Sequence, residues 1–116
     1  MAETLLYQGV AVNPANGLRV RLGHNMETLA GTKTLTPQDA QFQLLDPGGS
    51  HRNVDLPAEE ASQGLFFVIK NTADDAENLV VRNDNGDDKE TLAEDRWGIF
   101  MCDGTSWETM GVLIHG

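Results

Sequence analysis

The chain contains a single cysteine, Cys102, so it can form no disulfide within itself. That cysteine lies in the apolar stretch 97–102 (WGIFMC), where a free thiol serves as a small hydrophobe. No apolar run approaches the roughly 20 residues that a membrane helix needs, so no membrane partner is expected. Positive charge is scarce: 8 Lys and Arg stand against 18 Asp and Glu, a formal net charge of −10. A surface of that sign repels phosphates, which argues against a nucleic-acid partner. The opening residues, MAETLLYQG, lack the basic flank and long apolar core of a secretion signal, so synthesis in the cytoplasm is expected. The three histidines, His24, His51 and His115, are far apart and have no Cys or His partners at zinc-site spacing. No metal or cofactor is expected, and no nucleophile with a neighbouring base points to an enzyme.

Turn formers and short apolar runs are what the chain does have. Residues 64–71 (GLFFVIKN) hold five consecutive apolar residues bounded by Gly64 and by Asn71-Thr72, the pattern of a strand buried on both faces. Two apolar faces call for a cover above and a cover below, and the stretch 97–102 is the best candidate for a neighbour. Shorter strands are expected at residues 32–36, 41–45, 52–56, 78–82, 89–92 and 107–114. Turn clusters separate them: Asp46-Pro47-Gly48-Gly49-Ser50, Asp103-Gly104-Thr105 and Asn85-Gly86, the last suited to a type I′ hairpin. Residues 57–62 fit one helical turn, and nothing fits a helix longer than two turns.

This spacing predicts an all-β fold, a small β-sandwich or barrel of jelly-roll type with an extended N-terminal arm. The arm is placed at residues 1–31 and the sandwich body at 32–116. Within the arm, 5–12 and 18–22 read as strands around the turn cluster 13–17. Residues 18–22 (LRVRL) alternate strictly, with Leu18, Val20 and Leu22 on one side and Arg19 and Arg21 on the other. Residues 1–33 carry a net +1, from Arg19, Arg21 and Lys33 against Glu3 and Glu27, so the remainder carries −11. A segment of different charge from the body suggests different surroundings, and such arms are often ordered against a partner.

Other clusters offer little chemistry. In residues 83–88 (NDNGDD), setting Gly86 at the sixth position of an EF-hand loop puts Val81 first and Leu92 twelfth, and neither is a ligand. Asp103 has the look of a turn residue bonding the backbone. Trp97 and Trp107 flank one strand; exposed, they could stack on a sugar, but their apolar area favours burial. Asp74-Asp75 and Asp87-Asp88 are adjacent in sequence and so point apart on an extended chain.

Taken together, residues 42–49 (FQLLDPGG), 52–57 (RNVDLP), 64–73 (GLFFVIKNTA), 79–81 (LVV) and 102–107 (CDGTSW) resemble a module of small tailed-bacteriophage virion proteins, the head decoration or cement proteins and related fibre-base domains. The resemblance implies a structural, non-enzymatic β-domain, assembled as a homotrimer on the outer capsid surface and bound to the major capsid protein. It brings no catalytic residues. The arm residues Leu18, Arg19, Val20, Arg21 and Leu22 are then the candidate capsid contacts. Two other readings stay open: a glycan- or receptor-binding fibre module using Trp97 or Trp107, and a tail or baseplate structural domain.

Overall fold

The computed structural model describes the backbone of residues 4–7, 10–13 and 17–114, with side chains over 21–113. The described residues form twelve strands and one 3₁₀ turn, Glu59–Ala61, in an all-β fold. Strands β1 (Thr4–Tyr7), β2 (Val10–Asn13) and β3 (Gly17–Val20) make an antiparallel meander that is a sheet of its own. The body consists of two further sheets. One has five strands in the order β12 (Trp107–Ile114), β11 (Arg96–Cys102), β8 (Phe66–Asn71), β6 (Phe42–Asp46) and β4 (His24–Thr28). The other has four, in the order β10 (Asp88–Leu92), β9 (Leu79–Arg82), β7 (Arg52–Asp55) and β5 (Lys33–Thr34).

The two body sheets share one core. Leu45, Phe67, Ile69, Phe100, Cys102 and Trp107 enter it from the five-stranded sheet; Val54, Leu79, Val81 and Leu92 enter from the four-stranded sheet. This is the expected sandwich, but its pairing is mixed, which a jelly-roll of antiparallel strands does not include. Strands β4, β6 and β8 run parallel, as do β5, β7 and β9. The chain alternates between sheets through β4–β5, β6–β7 and β8–β9, and so winds as three stacked coils of a flattened β-helix. A parallel pair cannot be joined by a tight hairpin, and here the opposite sheet serves as the crossover. Antiparallel strands β10, β11 and β12 then close the winding at one end.

The coil corners explain the turn residues. Gly48 follows β6 with φ +77°, and a Cβ there would lie 2.4 Å from the carbonyl oxygen of Leu29 in the coil before it. Only glycine permits that backbone angle at that distance. Along β8 the pleat puts Phe67, Ile69 and Asn71 inward with no exposure, while Phe66, Val68 and Lys70 are half-buried on the other side. The central strand is therefore sealed on one face, not both as its sequence suggests: β11 is its neighbour within the sheet, not a second layer.

Asn71 is the polar member of that inward set, and its amide is fully engaged. Its Nδ2 donates to the carbonyls of Glu77 (2.8 Å) and Leu92 (2.9 Å), and its Oδ1 accepts from the amide of Ala73 (2.9 Å). One side chain thus holds the acidic loop after β8 and ties β8 to β10 of the opposite sheet.

Two boundaries differ from the sequence expectation. Residues 24–28, assigned to the arm, form β4 and pair in parallel with β6, so the body takes in residues placed before 32. The Asn85-Gly86 hairpin exists, but as a five-residue loop rather than a two-residue turn. The Oδ1 of Asn83 accepts from the amides of Asn85 (3.0 Å) and Asp87 (2.9 Å), and only Gly86 takes positive φ, at 85°.

Replacing Asn71 with Leu leaves two carbonyls and an amide without partners and should destabilise the protein by about 3 kcal/mol. Thermal unfolding followed by circular dichroism should show a Tm lower by roughly 10–20 °C. A Tm equal to that of the unmodified protein would mean the three bonds contribute nothing net.

Candidate interaction surface

The outer face of the five-stranded sheet is the most distinctive surface of the body. Its rows follow from the register. One row crosses all five strands as Met26, Leu44, Lys70, Trp97 and Leu113. The next is His24, Phe42, Val68, Ile99 and Gly111, and a third begins Phe66, Met101, Glu108. Met26 is 69% exposed, Leu113 58% and Met101 41%, while Phe42, Leu44, Phe66, Val68, Trp97 and Ile99 are half-buried. Lys70 sits within this field with its ammonium 4.9 Å from the centroid of the Trp97 ring, a cation–π contact that steadies both side chains. Towards the β4 edge, Met26, Glu27, Thr28, Leu44, Asp46 and Thr72 line a shallow groove of about 390 Å³.

At the open end of the winding, the inward positions are polar. Glu27 on β4 and Lys33 on β5 meet at 2.7 Å across the edge of the sandwich. Asn25 donates to both Glu27 Oε1 (2.8 Å) and Gln43 Oε1 (2.9 Å). Lys33, and after it Asn25, hold the Glu27 carboxyl below its ordinary range. Inward-pointing charge on an edge strand deters pairing with another chain, so this end is guarded.

The tryptophans divide. Trp107 is buried at 1% exposure, donates its indole N–H to the carbonyl of Pro57 (2.8 Å) and packs against Phe67 with ring centroids 5.9 Å apart. It is a core residue and cannot stack on a glycan. Trp97 is half-buried and Lys70 lies over its ring. Of the arm residues singled out in the sequence, Arg21 is exposed and Leu22 half-buried, in the link from β3 to β4. Leu18, Arg19 and Val20 lie on β3, and their side chains fall outside the described residues.

The remaining polar clusters resolve as local structure. Asp103 Oδ1 accepts from the amides of Thr105 and Ser106, both at 2.8 Å, and these bonds hold its carboxyl below the ordinary range. His51 Nδ1 accepts from the amide of Asn78 at 2.9 Å. Cys102 is buried, and burial pushes its thiol up. A pair with no signal in the sequence is Glu59 with Asp84: burial, and then a hydrogen bond shared with Asp84, push the Glu59 carboxyl up. They are 25 residues apart, and only the packing of the 3₁₀ turn near the β9–β10 loop brings them together. Among the described residues no three metal-ligating side chains cluster. Among the described residues no helix is long and apolar enough to cross a membrane.

No protein-family model, curated protein or solved structure matches the chain.

The Glu27–Lys33 pair sets a pH dependence. Because the folded state depresses the Glu27 pKa, the pair's contribution is present above the ordinary value of 4.5 and is lost as pH falls through the lower folded value. Lys33→Met should therefore cost about 0.5–1 kcal/mol at pH 7, the scale of a partly exposed pair. Urea titrations of both proteins should show that difference shrinking on acidification below pH 4.5. A gap that does not change with pH would remove the pair from the account.

Proposed function

We propose that this is a structural, non-enzymatic protein of a phage virion, a decoration protein that binds the outer capsid surface and stabilises the shell. The reading rests on the division between a rigid acidic two-sheet body and a separate N-terminal meander, β1–β3. A cement protein requires a body that keeps its shape and a segment that adheres. The body supplies the first: its core is continuous across both sheets, and every buried side-chain nitrogen and oxygen among the described residues has a hydrogen-bond partner. The segment up to residue 23 supplies the second, with Arg19 and Arg21 in a stretch whose charge differs from the −11 that follows residue 33. Many copies on a lattice offset the entropy of ordering such a segment through avidity. The partner in this reading is the major capsid protein, and the copies assemble with one another as the resemblance to decoration modules implies, as a homotrimer.

Where the body starts decides how the reading is tested. Removing residues 1–22 leaves β4 and the Glu27–Lys33 pair in place, whereas removing 1–31 strips β4 from β6. The shorter truncation should keep the β-sheet spectrum and cooperative unfolding of the full chain, yet fail to co-sediment with capsids that lack the protein. The longer one should lose stability as well. Undiminished capsid binding by the folded 23–116 protein would sink the assignment of the arm. Failure of the full chain to bind any capsid would sink the decoration reading itself.

A further inference from the structure

We propose that Asn85 is a latent modification site, converted to aspartate and isoaspartate when the β9–β10 loop opens and held back in the folded protein by the Asn83 cap. The inference does not depend on the capsid reading. It starts from Asn85-Gly86 at the tip of the loop, where Asn85 is exposed. An asparagine followed by glycine is open to attack by its own main chain, because glycine has no Cβ to crowd the approach. The reaction needs only water. The Gly86 nitrogen, having given up its proton to solvent, attacks Cγ of Asn85. A C–N bond forms, the bond from Cγ to Nδ2 breaks, and Nδ2 takes a proton and leaves as ammonia. Water then opens the cyclic imide at either carbonyl and leaves aspartate or isoaspartate at residue 85.

The loop restrains this reaction at its first atom. The Gly86 N–H donates to the carbonyl of Asn83 at 3.0 Å, so the attacking nitrogen is engaged and must first be released. Asn83 holds the whole tip in that arrangement. It is only 8% exposed, its Oδ1 accepts from the amides of Asn85 and Asp87, and its own amide donates to the Asp87 carbonyl at 2.9 Å. Charge acts in the same sense. Asp84, Asp87 and Asp88 all lie within two residues of Gly86, and nearby negative charges disfavour the amide anion that must form. The body's other asparagines are hindered for a different reason: Asn25, Asn53, Asn71, Asn78 and Asn83 precede Met, Val, Thr, Leu and Asp, whose side chains crowd the same approach. Conversion adds a negative charge to a chain that already carries −10. Isoaspartate also lengthens the main chain by one carbon inside the span that the Asn83–Asp87 bond closes.

Ageing the full chain at mildly alkaline pH, with peptide mapping by mass spectrometry, tests this. Mapping reads residue 85 separately from the chain's other Asn-Gly pair, Asn16-Gly17. The reference is a synthetic peptide of residues 81–90, which holds the same acids but not the folded loop. Residue 85 should convert at least about 10-fold more slowly in the folded chain than in the peptide, because the loop must open before Gly86 can react. Unfolding the chain in urea should remove that difference. Asn83→Ala, checked for the parent circular dichroism spectrum, should convert residue 85 several times faster than the parent. The comparison with the peptide needs no variant, so it decides the matter if Asn83→Ala does not fold. Conversion as fast in the folded chain as in the peptide, a peptide that does not convert, or a folded Asn83→Ala protein that ages at the parent's rate would each overturn the proposal.

Discussion

The structure depends on the sealing of one face of β8. Phe67, Ile69 and Asn71 point into the core at alternate positions, and each is fully buried. Two of them contribute apolar area; the third must be satisfied by hydrogen bonds or the seal fails. Asn71 meets that demand by binding the carbonyl of Leu92 on the far sheet and two groups of the loop that leaves its own strand. A polar group placed this way does more than avoid a penalty. Hydrophobic contact between the sheets is tolerant of small slides, whereas three directed bonds from one amide fix where β10 ends against β8. The position of the end of β10 against β8 thus depends on a single amide at the end of the central strand.

Parallel winding sets the next level. Since β4, β6 and β8 lie side by side on one sheet and β5, β7 and β9 on the other, each coil presses on the one before it at its corners. This is why Gly48 touches Leu29, and why a one-carbon addition there would collide with backbone that has no room to yield. Within the five-stranded sheet, Gly98 plays a related part: a Cβ would come within 2.6 Å of the Phe100 ring, which folds over that position to fill the core. The same stacking leaves one end of the winding open, and there the core gives way to Glu27, Lys33, Asn25 and Gln43. An apolar end would invite a further coil from another chain, and a paired charge across the gap closes it to that.

These features explain which parts of the fold are legible in the sequence. Strands whose inward residues are apolar, such as 52–56 with Val54 and Leu56 or 97–102 with Phe100 and Cys102, announce themselves by composition and by the turns around them. Strand β4 does not. Its inward residues are Asn25 and Glu27, satisfied by partners 18 and 6 positions away, so HNMET shows no hydrophobic period although it is built into the sheet. Parallel pairing is equally hidden, because Asp46-Pro47-Gly48-Gly49 turns the chain from one sheet to the other with residues that would serve a reversal within one sheet just as well. The run at 65–69 misled in the opposite direction. Five apolar residues in succession signal burial on two sides, whereas Phe66 and Val68 on the outward side are only half-buried.

An acidic body and an apolar face are complementary devices, acting over different ranges. Repulsion between copies of charge −10 extends over the Debye length, about 8 Å at physiological ionic strength, and opposes encounters in arbitrary orientations. Apolar attraction acts only at contact and only where surfaces fit. A chain with the second and not the first would aggregate through any available patch, and one with the first and not the second would stay dispersed. With both, orientations that bring acidic loops together are opposed more strongly than those that bring sheet faces together. Lys70 sharpens the distinction, since its charge is held against Trp97 within the face rather than left free to recruit acidic surfaces elsewhere. This pairing of long-range repulsion with short-range fit is a physical basis for specificity that requires no chemistry.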